Sequence, residues 1–355
     1  MGIWYCTRES VKSALDEAET ARSNAQIDDA IEQGARDVEG LTHRESFAPV
    51  IATRYFDYPS QTGRPPSWRL WLNQHALLSL TSLTAGGGTQ TITPAQYLLE
   101  PVNSGPPYNR IEINLGGSGS FSAGSTHQRA IAATGLWGVS NERVSIGSLS
   151  GSLAGTVGAT ANLAWTTARF GVGDLLFVDS EAMIITERTF VDSTQNLGAS
   201  VTASEADTTI SVSDGTGFAV EEIISIGSER MRVVDIVANN LTVKRAWDGS
   251  QAAAHTIGAD IYALTGVELA RAQAGTTIAA HSASAVVYRW VPPGLVATLN
   301  RAYALNTLLQ ERSGWNRVLQ TNQDTAVEFS GRGIAKLERD VVARYGRVAR
   351  TRAIV

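Results

Sequence analysis

Apolar residues keep a spacing of three or four near both ends of the chain and alternate or cluster in short runs between. Thr7 predicts a capped helix from Arg8, with Val11, Ala14 and Leu15 on one side. After Ser23 and Asn24, a second helix is predicted from the stripe Ile27, Ile31, Ala35, Val38 and Leu41, with Asp28 and Asp29 in its first turn, where carboxylates suit the helix dipole. Two helices this short cannot bury enough surface alone, so the stripe must pack on the β region or on a neighbouring subunit. From Phe47 the texture turns to short strands: 53–57, 68–72, 77–81, 110–114 and 128–138. They are separated by Tyr58-Pro59, Arg64-Pro-Pro66, Ala85-Gly-Gly-Gly88, Asn103-Ser-Gly-Pro-Pro107 and Gly116-Gly-Ser-Gly119. That stretch reads as a compact antiparallel sandwich or barrel. Residues 145–165, rich in Gly, Ser, Ala and Thr, read as a connector. Beyond Val291-Pro-Pro293 helix returns, first with Leu295, Val296, Leu299, Tyr303, Leu308 and Leu309, then with Ile334, Leu337, Val341, Tyr345 and Val348.

The middle of the chain repeats itself at two different spacings. Phe170-Gly-Val-Gly-Asp-Leu-Leu-Phe-Val-Asp-Ser-Glu-Ala-Met183 aligns without gaps on the segment from Phe218 to Met231, a shift of 48. Arg245-Ala-Trp-Asp-Gly-Ser-Gln-Ala-Ala-Ala-His255 aligns on the segment from Arg271 to His281, a shift of 26, with Tyr262 falling on Tyr288. A tandem duplication keeps one shift. Two shifts fit a module inserted inside a copy of itself, the outer copy split into 170–186 and about 267–290. Each copy reads as a small β-barrel or sandwich of about 60 residues, near the lower limit for an independent domain.

The resulting fold class is α+β. The expected parts are an N-terminal helical part (1–47), an antiparallel β domain (48–145), nested β modules (166–290, inner copy about 201–264) and C-terminal helices with a basic tail (291–355).

Composition narrows the function. Charged residues are 18 % of the chain, below the usual quarter or so, which suits turn-rich β structure. The net charge of −5 gives the whole molecule no electrostatic case for binding nucleic acid. Cys6 is the only cysteine, so an intrachain disulfide and a cysteine metal site are excluded. The N-terminus lacks the pattern of a secretory signal and of a myristoylation site, and no apolar run approaches the roughly 18 residues that span a bilayer. The expectation is a protein made and kept in a cytoplasm, or in something assembled there.

Candidate chemistry is sparse. His255 and His281 hold equivalent places, with no further ligands at metal-binding spacing, so a structural role, such as donation to a backbone carbonyl, is expected over metal binding. Glu181 and Glu229 are likewise duplicated. A role in turns, accepting backbone N–H groups, is expected over paired acid–base work. No nucleophile elbow, dinucleotide loop or phosphate loop is present, so no catalytic residue and no cofactor is assigned. The tail carries Arg332, Lys336, Arg339, Arg344, Arg347, Arg350 and Arg352 against only Glu338 and Asp340. Docking into an acidic partner is favoured over a solvated helix face, and contact with nucleic-acid phosphates is the third reading.

Several stretches together resemble the head–tail connector (adaptor) proteins of long-tailed bacteriophages. They are Trp4 to Leu15, Ile27-Asp-Asp-Ala-Ile31 through Glu39, Phe47-Ala-Pro49, Thr53 to Asp57, Leu70-Trp-Leu72, Leu77 to Leu80, Gly105-Pro-Pro-Tyr108, Arg110 to Ile113, Gln128 to Ile131 and Gly135-Leu-Trp-Gly138. The nested unit is similar to small β modules that recur in phage structural proteins. Members of the adaptor family are usually much shorter, and this chain departs by carrying large β insertions between its terminal helices. The resemblance implies a non-enzymatic, dodecameric ring seated under the portal, with a stopper or tail completion protein below. Genomic DNA would pass through the lumen without sequence-specific contact. It implies a place in the virion neck, assembled in the host cytoplasm, with no membrane. The tail would anchor in the portal through Lys336, Arg339, Arg344, Tyr345, Arg347, Arg350 and Arg352. A binding module at a tail tip or baseplate, recognising a host surface, is the alternative. Its one aromatic candidate on the modules is Trp247, whose counterpart is Gln273.

Overall fold

The structure is a computed structural model that describes residues 2–15, 23–59, 67–156, 159–163, 170–312, 318–320, 326–328 and 332–347. Its described helices are α1 (Arg8–Ala14), α2 (Asn24–Thr42), α3 (Gly294–Arg312) and α4 (Arg332–Tyr345). The Thr7 side chain accepts from the Ser10 N–H and starts α1. Ser23 and Gln26 form a reciprocal capping box at α2, and His43 ends that helix in the left-handed region at φ 53°.

The α2 stripe is covered within the chain. Ile27 and Ile31 are buried with Val178, Met183, Ile185 and Leu308; Ala35 and Val38 are buried with Leu175, Trp290, Val296 and Leu299. The helix thus lies between the central sheet and α3. The two helices come close at Gly34, where a Cβ would meet Asn300 Nδ2 at 2.9 Å and Tyr303 Cβ at 3.1 Å. Fully buried Asn300 bridges three elements here, donating to Ile31 O at 2.9 Å and accepting from Tyr5 N at 3.0 Å. α4 adds Val341 to the same core, with Ile334, Leu337 and Tyr345 packed against it.

The first β domain holds β1 (Val50–Phe56), β2 (Arg69–Trp71), β3 (Leu77–Ala85), β4 (Gln90–Ile92), β5 (Tyr97–Glu100), β6 (Arg110–Ile113) and β7 (Ile131–Trp137). They make two antiparallel sheets, ordered β1-β7-β3-β4 and β2-β6-β5, around a core that includes Phe56, Leu72, Leu77, Leu83, Ile111, Ile131 and Trp137.

The remaining larger sheet has ten strands. They are β8 (Arg143–Ser148), β9 (Ala159–Asn162), β10 (Leu175–Val178), β11 (Glu181–Asn196), β12 (Thr209–Ser211), β13 (Ile223–Ile226), β14 (Glu229–Val237), β15 (Asn240–Lys244), β16 (Asp260–Gln273) and β17 (Val286–Trp290). Their order is β12-β15-β14-β13-β16-β11-β10-β17-β8, with β9 on β16, and every pairing is antiparallel. A two-stranded hairpin, β18 (Val318–Gln320) and β19 (Ala326–Glu328), lies between α3 and α4 in sequence. The architecture is therefore mixed α+β with large antiparallel sheets, and no described sheet closes into a barrel, contrary to the barrel expectation for the modules. The ten strands run as one shared sheet across both copies, because β11 and β16 are long enough to serve both. The segment 145–165, expected to be a connector, instead carries most of β8 and all of β9.

Strand register follows both shifts. In the inner copy Arg232 pairs with Lys244, Val233 with Val243, Asp235 with Thr242, Ile236 with Leu241 and Val237 with Asn240. In the outer copy Ile184 pairs with Ala270, Ile185 with Leu269, Glu187 with Glu268, Arg188 with Val267 and Thr189 with Gly266. Every first partner is displaced by 48 and every second by 26, and the β-bulge falls at the same step in both. The inner hairpin closes with Ala238 and Asn239 between Val237 and Asn240. In the outer copy the corresponding gap, between Thr189 and Gly266, is filled by residues 190–265. The insertion site is thus one hairpin turn. The far halves of β11 and β16 belong to the inner copy, where Asn196 pairs with Asp260 as Ser148 pairs with Val286 in the outer copy.

Candidate functional site

The duplicated residues converge in each copy on one buried carboxylate. Glu181 Oε1 accepts from Arg271 Nε at 2.7 Å and Ala272 N at 3.0 Å; Oε2 accepts from Arg271 Nη2 at 2.6 Å and Ala279 N at 2.9 Å. His281 Nε2 stands 3.0 Å from the same oxygen. Glu229 is held by the same atoms of Arg245, Ala246, Ala253 and His255, at 2.6 to 3.2 Å. Ala246 and Ala272 take left-handed φ values of 54° and 55°, which turn their N–H groups toward the carboxylates. Each arginine also donates to carbonyl oxygens of the loop that crosses it: Arg271 to Ala154 and Ala279, Arg245 to Thr202, Asp207 and Ala253.

Both glutamates are fully buried. Burial pushes their carboxyls up, but the arginine, backbone N–H and histidine bonds outweigh it and hold each at about 2. Each carboxylate is therefore a saturated acceptor with no face open to substrate. The expected turn role for Glu181 and Glu229, accepting backbone N–H groups, is what the geometry shows. The histidines differ from expectation: their rings face the glutamates rather than backbone carbonyls, because a buried carboxylate needs every donor within reach. His281 has a second carboxylate, Asp179 Oδ2, at 2.8 Å from Nδ1; the equivalent position in the inner copy is Gly227. Among the described residues no group of three or more His, Cys, Asp or Glu is placed to hold a metal ion.

A second set of charged residues ties α1 to both copies, and sequence reasoning missed it. Arg8 pairs with Asp28 and Glu187; Glu9 accepts from Val172 N at 2.9 Å in the outer copy; Lys12 reaches Asp248 in the inner copy at 3.1 Å. Asp174 and Glu222 occupy equivalent positions, each accepting from the backbone three residues earlier, Gly171 and Ala219. Burial pushes Asp174 up to about 6 and Glu222 up to about 7. Cys6 is half-buried, and burial pushes its thiol up to about 12.

The tail residues divide into two groups. Lys336, Arg339 and Arg344 are exposed on the side of α4 away from Leu337 and Val341. Tyr345 and Arg347 are half-buried in contacts within the chain. Tyr345 packs edge-on against Phe47 at 5.8 Å, and Arg347 donates to His75 O at 2.6 Å. Arg350 and Arg352 lie outside the described residues. Trp247 is buried, with Arg232 and Lys244 stacked over its ring at 4.9 and 5.2 Å, so it presents no binding surface. No helix among the described residues is long and apolar enough to cross a membrane. Set against protein-family models, curated proteins and solved structures, the chain matches none.

Proposed function

We propose that this chain is a structural, non-enzymatic adaptor of a tailed-phage neck, forming a ring beneath the portal that joins capsid to tail around the DNA channel. The observation that carries the reading is the terminal helical body. α1, α2, α3 and α4 pack as one unit although they come from opposite ends of the chain. The residues that resemble adaptor sequence at the N-terminus form α1, α2 and the turn into β1. α4 leaves Lys336, Arg339 and Arg344 exposed on its outer side, with Arg339 Nε donating back to Ala335 O and Arg344 over the Tyr345 ring. A cationic helix face of this kind suits an acidic partner surface, here the portal, while the net charge of −5 suits a lumen that passes DNA without gripping it. In this reading the ring is dodecameric, a stopper or tail completion protein binds below, and the nested modules widen or decorate the neck as an adaptor-fold insertion. The place of action is the virion, after assembly in the host cytoplasm.

Purified protein mixed with its portal should give rotationally symmetric density below the portal in electron microscopy. Portal alone, or portal with unattached monomer, would refute the adaptor reading. Deleting residues 331–355 should abolish portal binding; unchanged binding would refute docking through the tail.

A further inference from the structure

The two clamp histidines differ in one contact. The His281 ring stands with Nε2 3.0 Å from Glu181 Oε2 and Nδ1 2.8 Å from Asp179 Oδ2, so both nitrogens face carboxylate oxygens. Among the described residues the His255 ring bonds through Nε2 alone, to Glu229 at 2.9 Å, and Gly227 stands where the outer copy has Asp179. The His281 side chain is 1 % exposed and that of Asp179 is 66 % exposed.

An ionised carboxylate only accepts, whereas a neutral imidazole has one donor nitrogen and one acceptor nitrogen. A neutral His281 ring would therefore set a lone pair against an oxygen at one of its two short contacts. Only a ring with two N–H groups satisfies both together. When one proton leaves, one contact must open, and the two carboxylates are not equally able to move. Glu181 is fixed by Arg271, Ala272 and Ala279. Asp179 stands in water on the two-residue turn between Val178 and Glu181, the last pair of the β10–β11 hairpin. The charged groups at the ring are thus Asp179 and Glu181, with Arg271 reached through Glu181.

We infer that Asp179 and His281 form a proton-operated latch on the β10–β11 turn, closed while the imidazole carries both protons and opened when it loses one as pH rises. The hairpin it closes bears Leu175, Phe177, Ala182 and Ile184, which share a core with Ala35 and Val38 of α2 and with Val296 and Leu299 of α3. The latch therefore acts on the copy that carries the helices, and the inner copy, with Gly227, lacks it. The inference rests on the contacts of the ring and stands whether or not the chain forms a neck ring.

The test uses the full chain with ¹⁵N in its histidine rings and backbone, because a bare ring nitrogen resonates far from a protonated one. At about pH 7.5 His281 should show two protonated nitrogens and His255 one bare nitrogen. The backbone permits a reciprocal exchange. Asp179 and Gly227 have φ values of 51° and 58°, and a Cβ at Gly227 would meet only His255 Cε1, at 3.9 Å. Asp179→Gly should leave His281 with one bare nitrogen, and Gly227→Asp should give His255 its second proton. In the wild type the Ser180 amide should be more ordered than that of Ser228, its counterpart, at about pH 5.5, and should lose that difference by about pH 8.5. A bare nitrogen on wild-type His281 at about pH 7.5, or two protons kept in Asp179→Gly, would overturn the latch. So would a bare nitrogen kept by His255 in Gly227→Asp, or a Ser180 amide whose order is the same at both pH values.

Discussion

Arg271 grips both oxygens of Glu181, at 2.7 and 2.6 Å, across 90 residues of chain; Arg245 grips Glu229 in the same two-pronged way across 16. The geometry is equal and the loop lengths are not. The inserted module therefore opened the outer copy's hairpin without disturbing its clamp.

Breaking a clamp should be costly, because it leaves a buried arginine unpaired. Glu229→Ala is expected to cost about 3–5 kcal/mol, and Glu181→Ala a similar amount. The consequences should differ in extent. Hydrogen exchange should show Glu229→Ala opening residues 197–263 while α2 and α3 stay protected. Glu181→Ala should loosen the strands on which those helices pack. Replacing Glu229 and Arg245 together by Leu and Met should cost clearly less than Glu229→Ala alone.

The insertion should be removable. Replacing residues 190–265 by Ala-Asn, the turn that closes the inner copy's own hairpin, joins Thr189 to Gly266 at an existing pair. The shortened chain is expected to unfold cooperatively and keep its outer clamp, read by circular dichroism and calorimetry. A molten product with no near-ultraviolet signal would show that the outer copy depends on the inner one.

Two sets of carboxylates should give opposite pH dependence. Glu181 and Glu229, held at about 2, stabilise the fold above their unfolded value of roughly 4.3, and that contribution is lost as pH falls through about 2. Asp174 and Glu222, raised to about 6 and about 7, bind a proton in the folded chain that the unfolded chain has already released. Stability should therefore fall as pH climbs from about 4 to 7 and level off above. Glu222→Gln should remove part of that fall and raise stability at pH 8 by about 1–3 kcal/mol, measured by urea unfolding across pH.

Gly275 should prove critical to the seam between the first β domain and the modules. Its φ is 75°, a Cβ there would lie 1.9 Å from Ile51 O, and the adjoining Ala274 O accepts from Ile51 N at 2.8 Å. Gly275→Ala is expected to cost about 2–4 kcal/mol, combining left-handed strain with displacement of β1. Gly258→Ala, at φ 85° with nothing within 4 Å, should cost only the strain, about 1 kcal/mol. Thermal unfolding of the two variants checks the difference.

Much of the architecture is legible in local chemistry. Thr7 and Ser23 mark helix starts because their side chains satisfy open N–H groups, and the Ile27-to-Val38 stripe names the buried face of α2. The two shifts of 48 and 26 expose the nested duplication, because equivalent positions keep equivalent residues. Other features are not legible. The stripe alone does not say whether a sheet or another subunit covers it, and the Gly- and Ser-rich stretch before Phe170 hides β8 and β9, whose pairing partners lie more than 100 residues away. Strand propensity is weak where cross-strand neighbours decide stability.

By itself the sequence determined the starts of α1 and α2, the buried stripes, the repeat and the duplicated Glu and His positions, all of which depend on spacing and side-chain chemistry within short windows. Only the tertiary structure decided that Glu181 meets Arg271 rather than Arg245, and that residues 190–265 occupy one hairpin turn. It alone decided that α2 is covered by the chain's own sheet and α3. Those outcomes turn on which distant segments pair. Pairing is set by the summed fit of whole faces, including backbone register and buried charge, which no local window contains.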